Sequence, residues 1–418
     1  MAGRRAVTDG GGAARARLAG LMRDEWGRLL ALLVARYRRL DLAEDGLADA
    51  FEAAARSWTD AEQPANGAAW LLTAARRRVL DRLRSEQVLA RSMPLLAVEA
   101  DVAQEARRVM ADAGERLVDE RLRLVLLCAH PRLSREAAAA LTLRLVLGVP
   151  TAEIARLFLL STPTAAARLT RARKSLAGER FALPRGDELA DRVGVVADVA
   201  YLAFTAGYAP SSGDAVVRTE LAGEAIRLVR VLRDVVPAGF DHADLDALLA
   251  LMLLQHARRD ARVRDGDLVL LPDQDRSRWH HDEIAEGLTL VLPQATAPAT
   301  PTLLQALVAA EHAVAPTAHA TAWDRILARY DELVALTDSP VVRLNRAVAV
   351  AEVHGPHAGL DALAGVALRG HRLPAVRAEL LARAGDLAAA RASFDAAIAL
   401  CDHDLERDHL RRRRDAAG

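Results

Sequence analysis

The 418-residue chain is poor in aromatic residues, at 4%, and has only two cysteines, Cys128 and Cys401, far apart in sequence. Two distant cysteines exclude a disulfide framework and make the cytosol the expected compartment. Metal-ligand spacing is missing as well. Cys128 and His130 stand close together but no second pair accompanies them, so a buried cysteine is the simpler reading and no metal or cofactor is expected. No apolar run approaches the length of a membrane span, and the basic opening stretch lacks the apolar core of a signal peptide, so no membrane partner is expected. Net charge is also absent: 56 Lys and Arg balance 56 Asp and Glu. That balance excludes a global attraction to nucleic acid and requires any such signal to be local. Lys174 is the one lysine, every other basic residue being arginine. Strand signals are almost missing; "GDLVLLPDQD" (266–275) is the one short run that reads as strand or loop.

What remains is rich in alanine and leucine, with 52% hydrophobic residues. That composition predicts an all-α protein, long enough for roughly two to four domains. Residues 1–17 are Gly/Ala/Arg-rich and read as disordered. Periodic helical sequence fills 18–84, and a charged, weakly patterned stretch over 85–115 reads as a linker. A second periodic unit spans 116–181, a third 185–290, and a fourth 303–406 after the Pro-rich "LPQATAPATPT". In the last unit, "RAELLARAGDLAAARASFDAAIAL" (377–400) is a helix, a Gly-Asp turn and a second helix. Ala390, Phe394 and Ala397 stand at inter-helix positions. A looser version lies about thirty residues earlier, which suggests tetratricopeptide (TPR)-like hairpins over ordinary ones.

Charge is segregated in the first unit. "DLAEDGLADAFEAAARSW" (41–58) carries Asp41, Glu44, Asp45, Asp49 and Glu52, with Leu47, Ala50, Phe51 and Ala54 on its buried face. After a loop comes "AWLLTAARRRVLDRLR" (69–84), where Leu72, Ala75, Val79 and Leu83 form one stripe. Arg77, Arg78, Arg82 and Arg84 fall opposite, with Asp81 among them. An acidic helix beside a basic one suggests two partners, one basic and one acidic, beyond what a shared seam would neutralise. Trp58 and Trp70 are either stacking platforms or core aromatics.

In the second unit, "TAEIARLFLLSTPTAAARLTRARKSL" (151–176) has the shape of a helix-turn-helix. Thr151 reads as its N-cap, and a second helix begins near Pro163 and ends in a basic edge.

These features resemble bacterial sigma factors of the extracytoplasmic-function (ECF) group. The region 2 pattern D-x-A-E-D-x-x-Q-[DE]-x-F is met by Asp41, Ala43, Glu44, Asp45, Asp49 and Phe51, with Ala48 replacing the usual glutamine. The following pattern, P-x-x-W-L-x-x-x-A-R-x-x-x-x-D-x-x-R, is met by Trp70, Leu71, Ala75, Arg76, Asp81 and Arg84, with Arg77 where asparagine is common. The helix-turn-helix resembles region 4, Thr164, Arg168 and Leu169 matching its turn pattern. Beyond residue 185, Tyr201, Phe204, Gly207, Tyr208 and "DQDRSRW" (273–279) resemble the ECF subgroup with a long TPR-like extension.

The resemblance implies an all-α architecture of a region 2 bundle, a region 4 helix-turn-helix and a helical TPR-like extension. It implies a sigma factor, not an enzyme, acting in the cytoplasm. Its core RNA polymerase partner would be met at the clamp coiled-coil and flap, the clamp through Asp41, Glu44, Asp45, Asp49 and Phe51. The −10 element, duplex and unpaired non-template strand, would be met by Asn66, Trp70, Arg76, Arg77, Arg78, Arg82 and Arg84. The −35 element would be met by Thr162, Thr164, Arg168, Arg171, Arg173 and Lys174, since Ala165, Ala166 and Ala167 cannot hydrogen-bond to bases. Asp273, Gln274, Asp275, Arg276, Arg278 and Trp279 would form either a seam between the extension and the sigma units, the preferred reading, or a docking site for a protein or small ligand. The rival readings are a TPR-like scaffold and a helix-turn-helix regulator acting without polymerase; neither needs the acidic–basic helix pair.

Overall fold

The computed structural model describes residues 12–60, 62–89, 114–158, 160–176, 184, 186–208, 219–237, 239–264 and 266–417. Eighteen α-helices and one two-stranded hairpin make up the regular structure of these residues. The chain divides into two compact units: 1–200 with 234–238, and 201–233 with 239–418.

The N-terminal unit opens with α1 (Gly12–Tyr37), α2 (Leu40–Ser57) and α3 (Gly67–Leu89). Helix α1 therefore starts inside the stretch expected to be disordered, of which residues 1–11 lie outside the described residues. The expected linker is described only at its edges, because α3 runs on to Leu89 and 90–113 also lie outside the described residues. Then come α4 (Gly114–Cys128), α5 (Arg135–Leu145), α6 (Thr151–Leu157), α7 (Thr162–Ser175) and α8 (Asp187–Tyr208), whose last turns belong to the second unit. Helix α1 packs against α2, α3, α4 and α5, so it joins the two sequence-defined bundles. Trp26, Leu29, Leu30 and Leu33 are its fully buried stripe, at the three-and-four spacing that puts side chains on one face. The approach is close enough to demand glycine twice. A Cβ on Gly27 would lie 2.1 Å from the Val146 carbonyl oxygen. Gly148, at φ +72°, would press a Cβ to 2.8 Å from the Trp26 ring.

Helices α6 and α7 pack on each other and on α5, completing the helix-turn-helix. The sequence expectation placed the cap of α6 at Thr151. Thr151 is instead the first helical residue, after Pro150. The side chain that caps α7 is Ser161, whose Oγ accepts a hydrogen bond from the Thr164 amide.

The C-terminal unit holds α9 (Thr219–Val235), shared with the first unit, then α10 (Ala243–His256), α11 (His281–Val291), α12 (Pro301–Val314), α13 (Trp323–Thr337), α14 (Pro340–His354), α15 (Pro356–Ala362), α16 (Arg372–Arg383), α17 (Leu387–Leu400) and α18 (Asp404–Ala416). Helix α10, "ADLDALLALMLLQH", is apolar on nearly every side and packs against both α11 and α12. From α12 onward each helix packs on the next, the arrangement expected of stacked hairpins. In the α16–α17 hairpin, Gly385 (φ +86°) makes the turn and Asp386 caps α17. Phe394 and Ala397, two of the inter-helix positions read from sequence, are buried together with Ala378 of α16, and the third, Ala390, is buried as well. The run at 266–275 yields strand β2 (Asp267–Leu268), paired antiparallel with β1 (Val263–Arg264), and then loop and short 3-10 turns.

Candidate nucleic-acid interface

The acidic residues of α2 divide by depth. Asp41 is exposed and paired with Arg39 at 2.8 Å; Arg39 also reaches Glu86 on α3 at 3.0 Å. The Arg39 hydrogen bond, with help from the Leu42 amide and against a modest burial cost, holds the Asp41 carboxyl below its ordinary range. Asp45 and Asp49 share Arg82 of α3, at 2.8 and 2.9 Å. The two helices thus neutralise part of each other's charge through this one arginine. Such exposed pairs are each worth about 0–1 kcal/mol and exchange readily for another partner.

Glu44 is different. It is only 4% exposed and receives Arg144 of α5 at 2.7 Å and Arg173 of α7 at 2.6 Å. Arg144 also stacks on Trp26, 4.9 Å from the ring centroid. One carboxylate therefore ties α2 to the helix-turn-helix. Phe51 is buried beside Trp26, at 5.6 Å between centroids, and serves the core.

The arginines at 76–78 also split. Arg77 and Arg78 are exposed, and neither forms an ion pair with a described residue. Arg76 is only 4% exposed. It stands four residues after Leu72 and three before Val79, so helix geometry turns it onto the buried stripe. A direct DNA contact assigned to Arg76 from sequence does not fit that position, and neither does surface contact through Phe51. Asn66 is exposed, and its Oδ1 accepts from the Ala69 amide at 2.9 Å, closing the first turn of α3. Trp70 is half-buried, set edge-on to the buried Trp58 at 5.4 Å. Arg84 lies 3.5 Å from Asp81.

On α7, Ala165, Leu169 and Ala172 face inward, leaving Thr162, Thr164, Arg171 and Lys174 exposed and Arg168 partly so. Arg173 is occupied by Glu44. Cys128 is buried at the end of α4, and burial pushes its thiol up to about 12, so it stays protonated.

The extension motif is knit into its own unit. Gln274 donates to the Val269 carbonyl at 3.1 Å, and Arg276 donates to the His312 carbonyl at 2.9 Å. Arg276 also stacks on Trp279 at 4.3 Å, and Trp279 is buried in the α10–α12 core. Asp275 caps the turn at Ser277, while Asp273 and Arg278 are exposed. Among the described residues, one trio brings potential metal ligands together. The ligand atoms of His371, Cys401 and Glu406 lie within 4.8 Å of one another, with His371 and Glu406 already paired at 3.0 Å.

Sequence reasoning did not find Arg144 or the joint it makes with Glu44 and Arg173. The available signal was a lone arginine inside "LTLRLVLG" (141–148), an apolar run in which a charge needs a buried partner.

Comparison with known proteins agrees with this anatomy. Residues 21–88 match sigma-70 region 2, 123–176 match sigma-70 region 4, and 192–295 match a family of unknown function, DUF6596. An uncharacterized protein of Rhizobium meliloti (strain 1021) is 37% identical over 395 residues, covering 91% of each chain. No solved structure gives a significant match. Among the described residues, no helix is long and apolar enough to cross a membrane.

Proposed function

Because the chain belongs to the sigma-70 transcription initiation factors, in an ECF-like form with a C-terminal extension, we propose that it binds core RNA polymerase through the acidic face of α2 and holds promoter DNA on α3 and α7. The observation that carries this reading is the pair of exposed arginines without ionic partners among the described residues, Arg77 and Arg78, beside a helix whose exposed acids are held by exchangeable surface pairs. Asp41, Asp45 and Asp49 are the polymerase-facing acids. Arg77 and Arg78 neutralise phosphates near the −10 element, with Asn66 and Trp70 at the end of α3 nearest the unpaired strand. Thr162, Thr164, Arg168, Arg171 and Lys174 meet the −35 element. Arg173 joins them only when its pair with Glu44 parts.

The domain scheme that accompanies this reading places region 2 at 18–84, a linker at 85–115 and region 4 at 116–181. A helical extension at 185–290 and a TPR-like domain at 303–406 follow, and they modulate initiation. Nucleotidyl transfer belongs to the polymerase. Run-off transcription with core polymerase, with and without the chain, tests the proposal. A promoter-dependent transcript that requires the chain is expected. Duplex binding with no transcript on a bound template would favour a regulator acting without polymerase.

A further inference from the structure

A cleft of about 470 Å³ opens in the C-terminal unit, between the segment after α10 and the start of α18. Its size falls within the roughly 300–1,000 Å³ typical of small-molecule sites. Arg258 and Arg262, four residues apart, both line it. Neither forms an ion pair with a described residue. Arg259, between them, shows the ordinary solution for this region: it pairs with Glu283 at 2.8 Å. Arg262 lies 4.6 Å over the ring of Tyr208, which also lines the cleft. Two neighbouring cations largely withdrawn from water are costly, Glu406 acting on Arg262 only from beyond ion-pair distance and no acid acting on Arg258, and a bound anion is the direct remedy. Consistently, burial and the nearby Arg262 push the Arg258 pKa down to about 10.

The cleft also holds buried polar atoms that lack partners among the described residues: the Tyr208 hydroxyl, Gln274 Oε1 and both ring nitrogens of His403. Gln274 is only 9% exposed, and its amide nitrogen is committed to the Val269 carbonyl, so its oxygen awaits a donor. Buried polar groups are normally satisfied, so this concentration of orphans beside unpaired cations points to a missing polar ligand. Of the acids at the cleft, Glu406 is paired with His371 and gives Arg262 only a longer-range attraction, and Asp402 is exposed. Val269, Leu271 and Leu405 supply an apolar wall.

We propose that this cleft binds a small organic anion, a carboxylate or phosphate monoester that also carries a hydroxyl donor. Arg258 and Arg262 take the anionic group, Gln274 Oε1 accepts from the hydroxyl, and the extension is thereby a ligand-binding module. This inference stands on the geometry of the C-terminal unit and does not depend on the promoter reading.

The test is thermal melting and calorimetric titration of the full chain with L-malate, glycerol 3-phosphate and inorganic phosphate, with glycerol as the neutral control, at constant ionic strength. The expected result is saturable binding of malate or glycerol 3-phosphate and none of glycerol. The carboxylate and phosphate arms identify the anionic group. Arg258→Met and Arg262→Gln should each weaken binding at least tenfold, Tyr208→Phe severalfold, and the exposed Arg391→Gln not at all. Arg258→Met should melt no lower than the parent without ligand, since it removes an unpaired buried charge. Saturable binding of none of the probes would overturn the proposal, as would equal binding by all variants. A chain with Arg258→Met that melts lower yet binds normally would assign that arginine to structure and also overturn it. Tyr208→Phe keeps the test decisive if an arginine variant misfolds.

Discussion

At Arg77 the chain places a charge where the family pattern commonly has an uncharged residue, exposed and without an ionic partner among the described residues. Arg77→Ala should weaken promoter complexes and flatten their salt dependence by about one unit of log–log slope, the loss of one phosphate contact. Binding to core polymerase should not change; titrations of promoter affinity against salt check both parts. Glu44 and Asp45 are neighbours in one motif but differ in consequence. Removing Glu44 leaves two arginines at a buried site without their carboxylate, which should cost about 3–5 kcal/mol. Asp45→Ala removes an exposed pair and should cost under about 1 kcal/mol. Urea denaturation of Glu44→Ala and Asp45→Ala separates them. The same contrast marks what was legible in sequence. The α3 stripe of Leu72, Ala75 and Val79 followed from helical spacing alone. The inward turn of Arg76 was hidden because arginine reads as surface until its angular position is weighed against its neighbours.

Helix α7 carries its own lesson. Its start near Pro163 and its basic tail were visible in sequence, and its inward Ala165, Leu169 and Ala172 keep helical spacing. The tie from its Arg173 to Glu44 spans 129 residues, beyond any local pattern. Separating α7 from α2 should require breaking that pair. Arg173→Ala should therefore speed amide exchange in 162–175 more than Lys174→Ala does, as read by hydrogen exchange with mass spectrometry. In the C-terminal unit, His312 of α12 is set between buried surroundings, Arg258 and Arg276, and its pKa falls from 6.5 to about 4. Folding holds this ring neutral while the unfolded chain takes up a proton. Its contribution is therefore full above the unfolded pKa and declines as pH drops from about 6.5 toward 4. His312→Gln should remove that part of the acid sensitivity, so the stability gap between pH 7 and pH 5 should narrow, as measured by denaturant titration at both values.

Across the molecule, composition alone gave the all-α class, and two ordered motifs gave the sigma-70 regions 2 and 4 that the family matches also find at 21–88 and 123–176. The extension was legible as helices, because hairpins such as α16–α17 repeat a local pattern. Its cleft was not, because Tyr208, Arg258, Gln274 and His403 come from distant segments that only tertiary packing brings together. The measurement that bears most directly on the central claim is permanganate reactivity of thymines in the −10 region of a cognate promoter, with core polymerase and the full chain. The account predicts reactive non-template thymines only when both proteins are present, and their loss in the Arg77→Ala/Arg78→Ala double variant while core binding persists. Reactivity that is unchanged in that variant would contradict the assignment of α3 to promoter DNA. Reactivity that never depends on the chain would contradict the account as a whole.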